Sequence, residues 1–120
     1  EKGKIAITNY KTLNVFKNLY LPKISLVECR LETGRTHQIR VHMNFKGNSI
    51  LGDKSYGKSK KKFKKIDPDI EKKINNFNRQ ALHAKSLGFI HPTTKNEIFF
   101  EAKRPDDFDT LIKSLKKASL

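Results

Sequence analysis

Two stretches rich in β-branched and aromatic residues, 4–16 and 24–31, flank a short segment with turn chemistry, Lys17-Asn18 to Pro22. Each alternates in part between apolar and polar residues, and the connection is too short for anything but a reversal, so the two are expected to pair antiparallel. The second strand should end at Glu32-Thr33-Gly34, where Gly34 can take a positive φ that other residues resist.

The next segment carries two patterns. Ile39, Val41, Met43 and Phe45 alternate, which taken alone favours a strand. Thr36 as an N-cap after a glycine turn, with Gly47 as a stop, favours a helix of about three turns over residues 36–46. Beyond it, Leu51 to Gly57 reads as a loop by its glycines and leads into Lys58 to Lys65, where six of eight residues are lysine. A short helix from Asp67-Pro68 to about Ile74 follows, with Asp67 as N-cap and Pro68 in the first turn. Residues 80–90 and 96–102 read as a second hairpin around His91 to Lys95, its apolar members including Leu82, Leu87, Phe89, Ile98 and Phe100. After Pro105, residues 106–117 place Phe108, Leu111, Ile112 and Leu115 at helical spacing. The sum is an α+β fold with a mixed, mainly antiparallel sheet and flanking helices, rather than a doubly wound α/β fold.

Charge narrows the partners. The 120 residues carry 26 Lys plus Arg against 12 Asp plus Glu, a formal charge of +14, which points to a polyanion and hence to RNA or DNA. A solvated basic surface is the alternative, because 21 of the 26 are lysines in a chain also rich in Ile and Asn, the bias of an AT-rich genome. The apolar fraction of 36% allows only a modest core. No run approaches a membrane span, and no apolar stretch of a signal peptide follows Glu1-Lys2-Gly3-Lys4, so a cytoplasmic protein without a membrane partner is expected. Cys29 stands alone, which excludes an internal disulfide, and the scattered histidines argue against a metal site. With Glu1 first and Met43 the sole methionine, the chain is expected to be a piece of a longer product.

Functional side chains are densest from Gly34 to His42. On a helix Arg40 lies near His37 and Asn44. Arg35 and the turn amides can grip a phosphate, or Arg35 can be a solvated charge. His37 and His42, five residues apart, lack the four-residue spacing of two ligands on one helix face. His83 and His91 read as structural histidines and Cys29 as a small buried residue. Asp53 is either a catalytic carboxylate or an acceptor of loop N–H groups. The lysine run, with Phe63 able to stack on a base, is either an RNA contact or an exposed insertion.

The segment Leu31-Glu-Thr-Gly-Arg-Thr-His-Gln-Ile-Arg-Val-His-Met43, followed by Ile50-Leu-Gly-Asp-Lys-Ser-Tyr-Gly57, Arg79-Gln-Ala-Leu-His-Ala84, His91-Pro92 and Glu97-Ile-Phe-Phe-Glu-Ala102, resembles the RluA-type pseudouridine synthases. The resemblance covers residues 1–120 as the C-terminal portion of the catalytic domain, with residues 58–66 as a Lys-rich insertion. It implies a helix over Thr36 to Phe45, against the alternation. It also implies isomerisation of specific uridines in ribosomal RNA, or in transfer RNA, without metal or cofactor. The family's nucleophile, an aspartate in an Arg-Leu-Asp context, has no counterpart here, which implies that the isolated chain is inactive. Carried over by residue, Arg40 is the arginine that salt-bridges this aspartate. Arg35 becomes an RNA or local structural contact, His37 and Gln38 become RNA contacts and local supports, and Ile39 and Leu51 help wall the base pocket; Lys60, Lys61 and Lys62, in the insertion, are expected to contact RNA through their charge. A noncatalytic RNA-binding module on the same scaffold is the alternative.

Overall fold

The computed structural model describes residues 5–18, 21–55 and 67–119. In chain order these form β1 (Thr8–Asn18), β2 (Leu21–Leu31), α1 (Gln38–Phe45), α2 (Pro68–Asn75), β3 (Ser86–Ile90), β4 (Glu97–Glu101) and α3 (Asp106–Ala118). The fold is α+β, as expected. Its strands form two separate two-stranded sheets, β1–β2 and β3–β4, and the pairing is antiparallel throughout the described residues, so the mixed sheet is not seen there.

The first hairpin is longer than its pattern indicates. Pairing continues to Asn18↔Leu21, so Lys17, Asn18 and Pro22 belong to strands rather than to the turn. A two-stranded ribbon leaves each strand an open edge, where a proline that cannot donate is tolerated. A register shift between Thr12 and Asn14 changes which residues of β1 face each side. Thr8, Tyr10 and Thr12 pair with Leu31, Cys29 and Val27 on one face, whereas Phe16 shares the opposite face with its partner Ile24 and with Leu26. The ribbon thereby serves two different layers.

Phe16 enters the main core with Ile70 and Ile74 of α2, Phe77, and Leu111, Ile112 and Leu115 of α3. The helices form as their caps and periodicity require. Asp67 accepts from the Asp69 N–H at 2.8 Å, and Pro68 occupies the first turn, where its missing N–H costs nothing. α3 starts after Pro105 with Asp106, Asp107 and Asp109 in its first turn and ends with Lys116 and Lys117, each set opposing the local end of the helix dipole. Residues 80–85 lie outside the second hairpin. Their backbone is engaged elsewhere: the Ala81 N–H donates to the Leu51 carbonyl at 2.8 Å, and the Lys85 carbonyl accepts from Ala102. Leu82 is half-buried there instead of pairing in a strand.

This core is thin. The accessible surface is 9660 Å², against about 6,700 Å² for a compact globule of this mass. Leu87, Phe89 and Phe100 remain exposed on one face of β3–β4, and Ile7, Tyr10, Leu13, Val15 and Leu31 on the first ribbon. Expressed alone, residues 1–120 are expected to melt over a broad, noncooperative range and to bind an apolar dye strongly. A sharp cooperative transition of the monomer, followed by circular dichroism, would count against this.

Candidate functional site

The segment that links β2 to α1 is organised by one amide. Gln38 is 4% exposed, and both ends of its side chain are fully used. Its Oε1 accepts from Thr33 Oγ1 at 2.7 Å and from the Arg35 N–H at 3.1 Å, while Nε2 donates to the Ile7 carbonyl at 2.9 Å and to Thr8 Oγ1 at 2.8 Å. Two donors and two acceptor bonds complete what an amide can make. The network extends at both ends: the Ile7 N–H donates to Thr33 Oγ1 at 2.8 Å, and Thr8 Oγ1 lies 2.8 Å from His42 Nδ1. Thr8 Oγ1 thus bridges the Gln38 amide and the His42 ring, accepting from Gln38 Nε2. One residue thus ties the first turn of α1 to the start of β1 and the end of β2.

This arrangement corrects three local expectations. Gln38 is a buried support, with no side-chain bond left to give to RNA. The helix is α1, Gln38–Phe45, shorter than three turns, and its N-cap is His37 rather than Thr36. His37 takes the left-handed conformation (φ 51°, ψ 30°), so the positive φ of this turn falls on a histidine and not on Gly34. A non-glycine residue there carries a strain of about 1–2 kcal/mol, which the Gln38 bonds can hold. Gly47, in contrast, ends the helix with φ 86°, as its position suggested. Arg35 is exposed and donates from Nε to the Ile5 carbonyl at 3.2 Å, which makes it at least a local structural contact.

The opposite side of α1 carries an ion pair. Arg40 donates from Nε to Asp53 Oδ2 at 2.9 Å and from Nη2 to Oδ1 at 3.0 Å, and Oδ1 also accepts the Ser55 N–H at 3.1 Å. The side chains are 13% and 1% exposed, so the pair is largely out of water. Paired, planar and bidentate contacts are the geometry in which a buried carboxylate and guanidinium best offset their desolvation. Of the two sequence readings of Asp53, catalytic carboxylate or loop acceptor, the structure shows it accepting a loop N–H, and it also clamps Arg40.

The loop that delivers Asp53 depends on Gly52. Its φ is +81°, and a Cβ there would collide with the Arg79 carbonyl oxygen. Arg79 is itself anchored to Asp107 by Nε–Oδ2 and Nη2–Oδ1 bonds of 3.0 and 2.8 Å, and its guanidinium lies over the Phe77 ring. That pairing holds the Asp107 carboxyl below the usual carboxylate range, chiefly through the hydrogen bond from Arg79. The blocks at 50–53 and 79–81 are therefore in backbone contact. Gly52→Ala should cost the complete polypeptide at least about 2 kcal/mol, from the positive φ and the displaced Arg79 backbone together, measured by urea denaturation. A loss under about 0.5 kcal/mol would show that the loop yields at no cost.

Of the other expected residues, Ile39 is half-buried on α1, and Leu51 packs against the main core cluster. Lys60, Lys61, Lys62 and Phe63 lie outside the described residues. The sequence does not by itself indicate the pairing of Arg40 with Asp53 or the roles of Thr8, Thr33 and His42. Their only local signal was the concentration of polar side chains in the glycine-bounded segments.

Residues 1–45 match the family model described as RNA pseudouridylate synthase. Over 114 residues, 95% of the chain, the sequence is 47% identical to ribosomal large subunit pseudouridine synthase D of Zymomonas mobilis, of which the match covers 33%. It is 44% identical over 115 residues to the uncharacterized RNA pseudouridine synthase YlyB of Bacillus subtilis, covering 96% of this chain and 32% of that protein. It is 41% identical over 114 residues to ribosomal large subunit pseudouridine synthase D of Haemophilus influenzae, covering 95% of this chain and 34% of that one. The chain spans about a third of the length of these curated relatives.

Proposed function

We propose, since the chain belongs to the RNA pseudouridine synthase family, that the complete polypeptide carrying it isomerises specific uridines of ribosomal RNA to pseudouridine, with transfer RNA as the second candidate substrate. Residues 1–120 act as the C-terminal portion of its catalytic domain. The observation that carries this reading is the buried, bidentate pairing of Arg40, in the Gly34–His42 motif, with Asp53 of the loop that follows α1.

In this reading Asp53 fixes the Arg40 guanidinium, taking two of its five N–H donors. Arg40 forms a salt bridge with the nucleophilic aspartate, which the rest of the polypeptide supplies, and keeps that carboxylate ionised and oriented. The uridine is taken out of its stack into the pocket, where Ile39 and Leu51 contribute apolar wall. The N1–C1′ bond breaks, the base rotates, and a C5–C1′ bond forms; the C5 hydrogen leaves to solvent and N1 takes up a proton. No redox change occurs, and neither metal nor cofactor is needed to balance the step. Arg35 and His37, both exposed, and Lys60 to Lys62 supply phosphate contacts, while local RNA shape selects the site.

Tritium release from RNA carrying 5-³H-uridine tests the reading. The complete polypeptide should release tritium without added metal, residues 1–120 alone should not, and Arg40→Ala in the complete polypeptide should abolish release while leaving most RNA affinity. Near-normal release by that variant overturns the role of Arg40. RNA binding by the complete polypeptide without release on any ribosomal or transfer RNA leaves a noncatalytic RNA-binding module instead.

A further inference from the structure

Between β1 and the last turn of α1 lies a groove of about 170 Å³ lined by Thr8, Tyr10, His42, Met43, Phe45 and Lys46. It is on the flank of α1 that faces β1, where Gln38 and His42 meet Thr8, whereas Arg40 reaches the loop of Asp53. Phe45 is 91% exposed, and Tyr10 is 52% exposed. The Lys46 ammonium sits 5.0 Å from the centre of the Tyr10 ring, a cation–π contact that holds a positive charge at the rim. Among the described residues no carboxylate lines the groove.

We propose that this groove binds an unpaired base of single-stranded RNA, stacked on Phe45, with the adjoining phosphate against Lys46. The inference rests on the pseudouridine synthase reading and adds to it a contact outside the Arg40 site. Three features favour RNA over a protein partner. An aromatic ring this exposed is a stacking platform usable by any base, because every base has a π-face. Lysine is depleted at protein–protein contacts but matches a phosphate backbone. The chain as a whole carries a formal charge of +14, which draws a polyanion to such a groove.

The experiment uses the complete polypeptide and a fluorescent single-stranded oligouridylate. Phe45→Ala is expected to weaken binding roughly 5- to 150-fold, the range for losing one stacked base, with the salt dependence of binding unchanged. Lys46→Gln should instead lower the slope of log K against log salt by about 0.7, the value for one phosphate on a single strand. Phe45 is so exposed that its loss should not shift the thermal transition, which is checked on the same samples. Benzoylphenylalanine substituted at position 45 should crosslink to the oligonucleotide. Wild-type affinity in Phe45→Ala, or a crosslink from position 45 into the polypeptide itself, overturns the proposal and leaves the enzyme reading intact. Failure of the wild-type polypeptide to bind RNA at all overturns both.

Discussion

Asp53→Ala should destabilise the complete polypeptide by about 3–5 kcal/mol, read from its urea midpoint at unchanged slope. It should also abolish tritium release. The physical cause is an undercompensated charge: Arg40 keeps its positive charge but loses the bidentate partner that offsets its burial. The Ser55 N–H would lose its acceptor as well. Removing both partners is the informative control, since a buried pair often yields little beyond its own desolvation cost. The double variant Arg40→Met/Asp53→Leu should therefore recover much of the lost stability while remaining inactive. A double variant no more stable than Asp53→Ala would show that the pair itself holds the loop, through bonds that apolar packing does not replace. If Asp53→Ala retains both stability and turnover, the clamp has no function.

The second large effect is expected at Gln38. Gln38→Ala removes four hydrogen bonds and strands the Arg35 N–H and the Thr33 hydroxyl without their common acceptor. At about 1–3 kcal/mol for each unsatisfied group, partly relieved by water, the loss should be roughly 2–4 kcal/mol. Gln38→Glu separates this network from simple packing. It keeps the Oε1 acceptor for Thr33 and Arg35 but sets a second carboxylate oxygen against the Ile7 carbonyl, where an N–H now donates. The near-isosteric glutamate should therefore still be clearly destabilised at neutral pH, and should recover in part as it protonates in acid. Stability equal to wild type in Gln38→Glu, measured by urea denaturation at pH 7, would rule out the Ile7 and Thr8 bonds as important. Because Gln38 secures the helix that bears Arg40, both variants should lower kcat more than they raise KM for RNA.

Much of the secondary structure is written in local pattern. The first hairpin, α2 with its Asp67 cap, the short β3–β4 hairpin and the amphipathic α3 follow from alternation, helical spacing and capping residues within a few positions of each other. Such signals act over one or two turns and need no knowledge of the rest of the fold. Strand boundaries differ from the pattern at residues 17–22, where the hairpin's own cross-strand pairing continues toward its turn, and at 80–85, where the partners are backbone groups elsewhere in the molecule.

The segment 36–46 shows the limit of that reading. Its alternation of Ile39, Val41, Met43 and Phe45 favours a strand, its boundary residues Thr36 and Gly47 favour a helix, and the family resemblance decides for the helix. The structure supplies a physical reason: Gln38 and Met43 are the residues that bury, while Val41 and Phe45 face solvent. Gln38 is drawn inward by four bonds to Ile7 and Thr8 at the start of β1 and to Thr33 and Arg35 in the turn after β2, a gain invisible to a hydrophobicity pattern. The same holds for the candidate site. Residue type and order brought Arg40 and the loop carrying Asp53 into view, and the net charge pointed to RNA. Their pairing across thirteen positions required the positive φ of Gly52 and the Arg79 backbone behind it. Local chemistry thus determined which elements form and which side chains carry charge. Tertiary packing decided which of those charges leave water together, because the cost of burying each depends on a partner that only the folded chain provides.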